Sequence, residues 1–358
     1  MSRRLAIALL VLLAVVAAGC GGDDGAAGDD ERTTTTTAPP SSPDRSTPEG
    51  PGDIRPTPGL DLIPSLVRDL QPSVVAVLTD EGEGSGVVYA ENGTVITNNH
   101  VVDGANEIRV AFVDGSRVDA EVRATDPRSD LAVLHVDRDH LPPARFADHL
   151  PVVGELAVAM GNPLGFENSV TAGIISGLHR SIPGSAAESP ALVDLVQTDA
   201  PISPGNSGGA LLDAKGEVVG LNVAYIPPGE SGAVSIGFAI SSTTVTDIVD
   251  QLLDTGEVRY PFLGVTPQAV TPEIADRLDL GTDEGVIVQS VVRDGPADDA
   301  GLRPGDVIVR LDDQPVRTVE EFLVELRDYA HGDEVSVEVV RDGGHRSFDA
   351  RLAERPDD

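Results

Sequence analysis

The chain of 358 residues has a single cysteine, Cys20. No disulfide can form within it, so its stability must come from packing. Tryptophan is absent and aromatics make up only 3% of the residues, so the cores must rely on Val, Leu, Ile and Ala. Basic residues are also scarce: 25 Lys and Arg stand against 59 Asp and Glu, a net charge of −34. Such a surface repels phosphate backbones, which argues against nucleic acid as a partner. Neither a phosphate-cradling Walker loop nor an HExxH metal motif is present, so no metal ion or other cofactor is expected. The apolar run Leu5 to Ala18 falls short of the roughly 17 residues that a membrane-spanning helix needs.

That run has a different meaning. Arg3 and Arg4 precede it, and Ala17-Ala18-Gly19-Cys20 follows, the order of an export signal. The ending resembles the bacterial lipobox, which makes Cys20 the expected lipidation site; an uncleaved anchor is the alternative. Either reading puts the protein outside the cytoplasm and at the cell membrane. Residues 1–20 are therefore expected to be a lipoprotein-type signal. Residues 21–60, acidic and rich in Thr and Pro, have too little apolar surface to fold and are expected to form a disordered linker.

Beyond the linker, short β-branched runs alternate with turn signals. Asn92-Gly93 and Asp114-Gly115, each between apolar runs, predict hairpins. Strands are predicted at Ser73–Thr79, Gly86–Ala90, Thr94–Thr97, Glu107–Val113, Arg117–Ala124, Leu131–Val136, Leu156–Met160, Ser169–Ser176, Leu211–Leu212, Val218–Val223 and Ile236–Ile240. Many strands without alternating helices point to a barrel architecture and not to a doubly wound sheet. Thr243–Leu253, closed by Gly256, reads as a helix leading to a second module that mixes strands with two helices.

Ser203-Pro204-Gly205-Asn206-Ser207-Gly208-Gly209-Ala210-Leu211 presents a serine hydroxyl beside bare backbone amides. Gly205-x-Ser207-x-Gly209 also fits the nucleophile elbow of α/β-hydrolases, but in those enzymes the histidine follows the serine. Here His331 and His345 are the only later histidines, and they fall in the second module. Upstream lie His100, in Thr97-Asn98-Asn99-His100-Val101-Val102, and Asp130, in Asp126-Pro127-Arg128-Ser129-Asp130-Leu131. The order His, Asp, Ser is that of chymotrypsin-like double barrels. Asp130 is preferred to Asp126 because it directly precedes an apolar strand, where a carboxylate can be desolvated against an imidazole. His135, His140, His149 and His179 read as surface or capped residues.

The three motifs TNNHVV, DPRSDLAVL and GNSGGAL, in that order, resemble the HtrA/Deg family of serine proteases. Pro296-Ala297-Asp298-Asp299-Ala300-Gly301-Leu302-Arg303-Pro304-Gly305-Asp306 resembles that family's PDZ signature. The resemblance implies a mostly β chain: a chymotrypsin-like double β-barrel protease domain over residues 61–256, then a small α+β PDZ domain over residues 257–356. It implies His100 as general base, Asp130 as its orienting carboxylate, Ser207 as nucleophile, and the amides of Gly205 and Ser207 as oxyanion hole. Ile202 and Tyr225 would line the substrate pocket, and Phe262, Leu263 and Gly264 would hold a peptide carboxylate. It further implies an ATP-independent, PDZ-regulated endopeptidase that assembles as a homotrimer. Its partners would be misfolded or damaged exported polypeptides, with hydrophobic C-terminal peptides at the PDZ domain. The competing reading is a peptide-binding chaperone or stress sensor with little proteolytic turnover.

Overall fold

The computed structural model describes residues 60–162, 169–182, 192–226, 236–278, 280–327 and 329–355. The expected signal, Cys20 and the linker lie outside these residues. None of the described helices is long and apolar enough to cross a membrane.

Among the described residues, twelve strands close into two six-stranded antiparallel barrels. A short helix, α1 (Ile63–Leu70), leads into the first, which comprises β1 (Val74–Thr79), β2 (Glu83–Ala90), β3 (Thr94–Asn98), β4 (Ile108–Ala111), β5 (Arg117–Asp126) and β6 (Leu131–Val136). A one-turn helix, α2 (Asn99–Val102), interrupts it between β3 and β4. The second comprises β7 (Leu156–Gly161), β8 (Ser169–Ile182), β9 (Leu192–Thr198), β10 (Ala210–Leu212), β11 (Val218–Ile226) and β12 (Ile236–Ser241). The spatial order β1-β2-β3-β6-β5-β4 recurs as β7-β8-β9-β12-β11-β10, so one topology occurs twice.

The predicted hairpin turns form where glycine permits them: Gly93 and Gly115 sit at φ +90° and +83°. Several strand limits differ from the sequence expectation: β2 begins at Glu83 and not Gly86, and β5 and β11 run on to Asp126 and Ile226. β8 continues past Ser176 to Ile182, and β9 was not anticipated. Asp194 interrupts the apolar run of β9 with a buried carboxylate in a left-handed conformation, φ +63°. That polar residue hides the strand's period from a sequence reading.

Scarce aromatics leave the cores to aliphatics, as composition requires. The first barrel is filled by valines such as Val75, Val77, Val88 and Val110 with Leu134. The second contains Ala157, Ala159, Ala200 and Ala239 around Ile175 and Leu211. Between the barrels lies a larger shared core that joins Val74, Ile96 and Leu131 to Met160, Leu195 and Leu212. The helix α3 (Ser242–Thr255) seals it with Val245, Ile248, Val249 and Leu252. Ser241 caps this helix by accepting from the Thr244 amide, and Gly256 ends it at φ +81°.

The second module has its own core around Phe322, Leu263, Val286 and Val337. Its elements are β13 (Pro261–Phe262), β14 (Val265–Ala269), α4 (Pro272–Leu278), β15 (Val286–Val291), α5 (Pro296–Ala300), β16 (Val307–Leu311), β17 (Gln314–Pro315), α6 (Val319–Arg327), β18 (Glu334–Arg341), β19 (Gly344–Arg351) and β20 (Ala353–Glu354). The signature segment has a structural use. Gly301 and Gly305 take φ +89° and +95°, and buried Asp306 binds the Arg341 guanidinium through both carboxylate oxygens.

Candidate active site

β3 ends in extended backbone at Asn98, and α2 then lifts His100 to the barrel surface, its side chain 41% exposed. Asp130 faces it from the turn before β6, with only 5% of its side chain exposed. One carboxylate oxygen accepts the His100 amide at 2.9 Å, and the other meets His100 Nδ1 at 2.7 Å. With the carboxylate ionised, Nδ1 carries the proton and Nε2 is the ring's acceptor. The Asp130 carbonyl is also used: it accepts from the Asn99 amide and from Asn98 Nδ2. Asp130 itself sits at φ +57°, a strained conformation that Asp tolerates better than most residues. Asp126, the rejected alternative, faces elsewhere. It accepts from the Ser129 amide and from the Tyr260 hydroxyl.

Ser207 belongs to the second barrel, on the loop before β10. Gly84 lies between it and the histidine. A methyl group at Gly84 would sit 2.7 Å from Val101, the neighbour of His100, and 3.3 Å from the Ser207 carbonyl. The Ser207 hydroxyl donates to the Val223 carbonyl at 3.2 Å. The segment Ser203-Pro204-Gly205-Asn206 forms a turn closed by Asn206 N–H to Ser203 O, with Gly205 at φ +90°. Proline at the second position and a positive-φ glycine at the third define a type II turn. The amides of Asn206, Gly208 and Gly209 all have backbone acceptors. Among the described residues, the amides of Gly205 and Ser207 have none.

Glycine is required around this loop. A Cβ on Gly208, at φ +80°, would fall 2.1 Å from the Ser85 carbonyl oxygen; one on Gly209 would fall 2.3 Å from the Met160 carbonyl oxygen. Ile202 is buried on Gly237 of β12, within the second barrel's core. The backbone of Tyr225 lies in β11, paired with Gly237, and its side chain lies outside the described residues.

Sequence reading missed one residue, Ser85. It directly precedes the strand predicted from Gly86 and is a buried contact point between the barrels. The only signal was its place between two glycines. A second histidine–carboxylate pair, His179 Nδ1 to Asp194 at 2.8 Å, resembles the first, but the other Asp194 oxygen accepts from Thr244. It ties β8 and β9 to α3.

In the second module, Leu263 is buried and Gly264 turns at φ +84°. Their carbonyls accept from Ala297 and Val292, while their own amides have no main-chain acceptor among the described residues. A groove of about 340 Å³ lies beside them, lined by Phe262, Leu263, Gly264, Phe322, Leu326 and Arg327 and closed at one side by Arg128 and Val193 of the barrels. Tyr260 links the modules. Burial, and secondarily Asp126, pushes its phenol well above the ordinary range, so it stays a donor to that carboxylate.

Comparison with known proteins agrees with this geometry. Residues 84–221 match the trypsin-like peptidase domain, and residues 261–352 match the PDZ domain. A probable periplasmic serine endoprotease, DegP-like, of Pseudomonas fulva (strain 12-X) is 39% identical over 277 residues, which cover 77% of this chain and 56% of that protein. Its counterpart in Ectopseudomonas mendocina (strain ymp) is 36% identical over 327 residues, covering 88% of this chain and 67% of that one. The first of these matches thus spans little more than half the relative's length. Among solved structures, the HtrA-type protease AlgW with tripeptide superposes with a TM-score of 0.70 at 36% identity, covering 82% of this chain and 98% of that one. The serine endoprotease from Yersinia pestis gives 0.62 at 30% identity, covering 84% and 100%.

Proposed function

The chain belongs to the HtrA/DegP-like family of serine proteases, and from that premise we propose that it is a working serine endopeptidase with His100, Asp130 and Ser207 as its catalytic residues. The observation that carries this reading is the pair of amides at Gly205 and Ser207 without an acceptor among the described residues, on either side of one that is engaged. Two such donors on one tight turn are available to a substrate oxyanion, the acceptor that suits them.

In this reading the Ser207 hydroxyl leaves the Val223 carbonyl and turns to His100. Its oxygen attacks the scissile carbonyl carbon while His100 Nε2 takes the proton. The oxyanion rests on the two amides, each such donor being worth about 3–4 kcal/mol of barrier. His100 then returns the proton to the leaving amine, and water cleaves the acyl-enzyme by the same route. Asp130 remains ionised, fixing the tautomer and stabilising the imidazolium. Ile202, buried on Gly237, supports a small apolar pocket, to which Tyr225 would contribute.

The remaining assignments follow the family. The groove at Phe262, Leu263 and Gly264 would take a hydrophobic C-terminal peptide as an added strand on β14, its carboxylate on the loop amides. Such a peptide would regulate cleavage. Misfolded or damaged exported proteins would be the substrates, without ATP, and homotrimers the assembly. Residues 1–20 would export and anchor the protein through Cys20, residues 21–60 would act as tether, and the domains would span 61–256 and 257–356. Extracytoplasmic location is supported by the periplasmic naming of the relatives.

The test is incubation of the full chain, in detergent, with an unfolded protein, with and without a hydrophobic C-terminal peptide. Wild type should cleave, faster with peptide, and Ser207→Ala should not. Cleavage surviving in Ser207→Ala would sink the assignment.

A further inference from the structure

Ser85 is fully buried in β2 of the first barrel, yet most of its polar atoms serve the second. Its hydroxyl donates to the Gly205 carbonyl at 2.6 Å and accepts from the Asn162 amide at 2.8 Å. Its amide donates to the Ser207 carbonyl at 2.8 Å. Its own carbonyl is held by the buried Thr97 hydroxyl at 2.7 Å, on the strand that leads to His100. One residue of the first barrel therefore holds the carbonyls of both residues that flank Asn206. Within the second barrel the loop is held by the Asn206, Gly208 and Gly209 amides on main-chain carbonyls, but none of these bonds engages the Gly205 or Ser207 carbonyl. Asn206 is buried, but neither polar atom of its side chain has a partner among the described residues. Gly161 lets the loop sit close, since a Cβ there would lie 2.5 Å from Asn206 Oδ1 and 2.9 Å from Ser85 Oγ.

We propose that Ser85 is a positioning residue for the oxyanion hole: its hydroxyl, by fixing the Gly205 carbonyl, holds that loop in the orientation that keeps the Gly205 and Ser207 amides facing the substrate. The inference rests on the endopeptidase reading above. The physical basis is peptide geometry. A glycine at φ +90° has alternative conformations within easy reach. Anchoring the Gly205 carbonyl oxygen limits rotation about the Gly205 backbone and leaves its N–H directed into the site. The Asn162–Ser85–Gly205 chain runs donor to acceptor throughout, so the hydroxyl proton has one preferred direction.

The test compares wild type, Ser85→Ala, Ser85→Cys and Ser207→Ala as full chains, by peptide hydrolysis and by hydrogen exchange of the 203–209 segment. Ser85→Ala should lower kcat roughly 10- to 100-fold, less than the 10²–10³ lost when a hole donor is removed outright. KM should stay within about twofold, because the stabilisation lost is that of the transition state. Exchange of the segment should quicken about tenfold while the strands of both barrels stay protected. Ser85→Cys keeps the side-chain size with a weaker donor and should fall between, which serves if the alanine variant folds poorly. A loss confined to KM, or unchanged kcat, overturns the proposal, as does unaltered exchange in a folded variant. If wild type shows no Ser207-dependent hydrolysis, the endopeptidase reading fails instead, and exchange alone then decides whether Ser85 holds the loop.

Discussion

The two barrels share a topology but hold their reactive groups in opposite ways. In the first, the His100–Asp130 pair is secured from within: both carboxylate oxygens bind His100, and the Asp130 carbonyl takes Asn98 and Asn99 of the same barrel. In the second, the Ser207 loop is secured partly from outside, by Ser85 of its neighbour. The cores differ in the same sense, valine filling the first and alanine much of the second. A self-contained acid–base pair needs only its own barrel to fold. In the reading proposed above, a nucleophile loop held from the neighbouring barrel would make the pairing of barrels part of catalysis.

The sharpest way to break this comparison is to damage each side separately. Asp130→Asn should lower kcat by about 10⁴, since the amide would favour the wrong His100 tautomer. Asn also tolerates φ +57°, so thermal unfolding should be nearly unchanged. Exchange in the 203–209 segment should not respond, and a response there would mean that the barrels do not hold their groups independently. Gly208→Ala attacks the other side. A Cβ 2.1 Å from the Ser85 carbonyl oxygen, at φ +80°, should cost about 3 kcal/mol or more in denaturant unfolding and abolish hydrolysis.

Smaller effects sharpen it further. Tyr260→Phe removes the donor that ties the PDZ module to Asp126, near the turn that carries Asp130. Loss of about 1–2 kcal/mol is expected by thermal unfolding. The raised phenol pKa fixes the sign. The contribution of Tyr260 is complete below pH about 10 and is lost only as pH climbs through the folded value. Between pH 6 and pH 9 (roughly the assay range) the penalty of Tyr260→Phe should therefore be constant, and a penalty that varied there would refute this account. Asp114→Asn, on the exposed rim of the first barrel, should cost under about 1 kcal/mol. Hydrogen bonds from Arg138, then Ser116, hold the Asp114 carboxyl well below the usual range. Its contribution is complete above pH about 4 and is lost progressively as pH falls toward the lowered folded value, so the penalty of the variant should be constant above that point and shrink below it.

How much of this was legible depended on how local the cause was. β6 was read at its observed limits because its aliphatic run is bounded by turn residues. The end of α3 was legible from Gly256. β19 was not recognised, since it is exposed along most of its length and is held chiefly by its ladder with β18. The meeting of His100 with Asp130 could be inferred from motif order and family resemblance. The second pair, His179 with Asp194, could not, because nothing local marks it.

The sequence by itself determined the architecture and pointed to the candidate reactive residues: short aliphatic strands bounded by turns, glycines at turns that demand positive φ, and a serine close to glycines downstream of His100 and Asp130. Only the tertiary structure decided which amides lack an acceptor among the described residues and which residue of the other barrel meets their loop. The contact from Ser85 to Gly205 spans 120 residues of chain and depends on two barrels packing together. No local propensity encodes a hydrogen bond between surfaces that meet only after each barrel has closed.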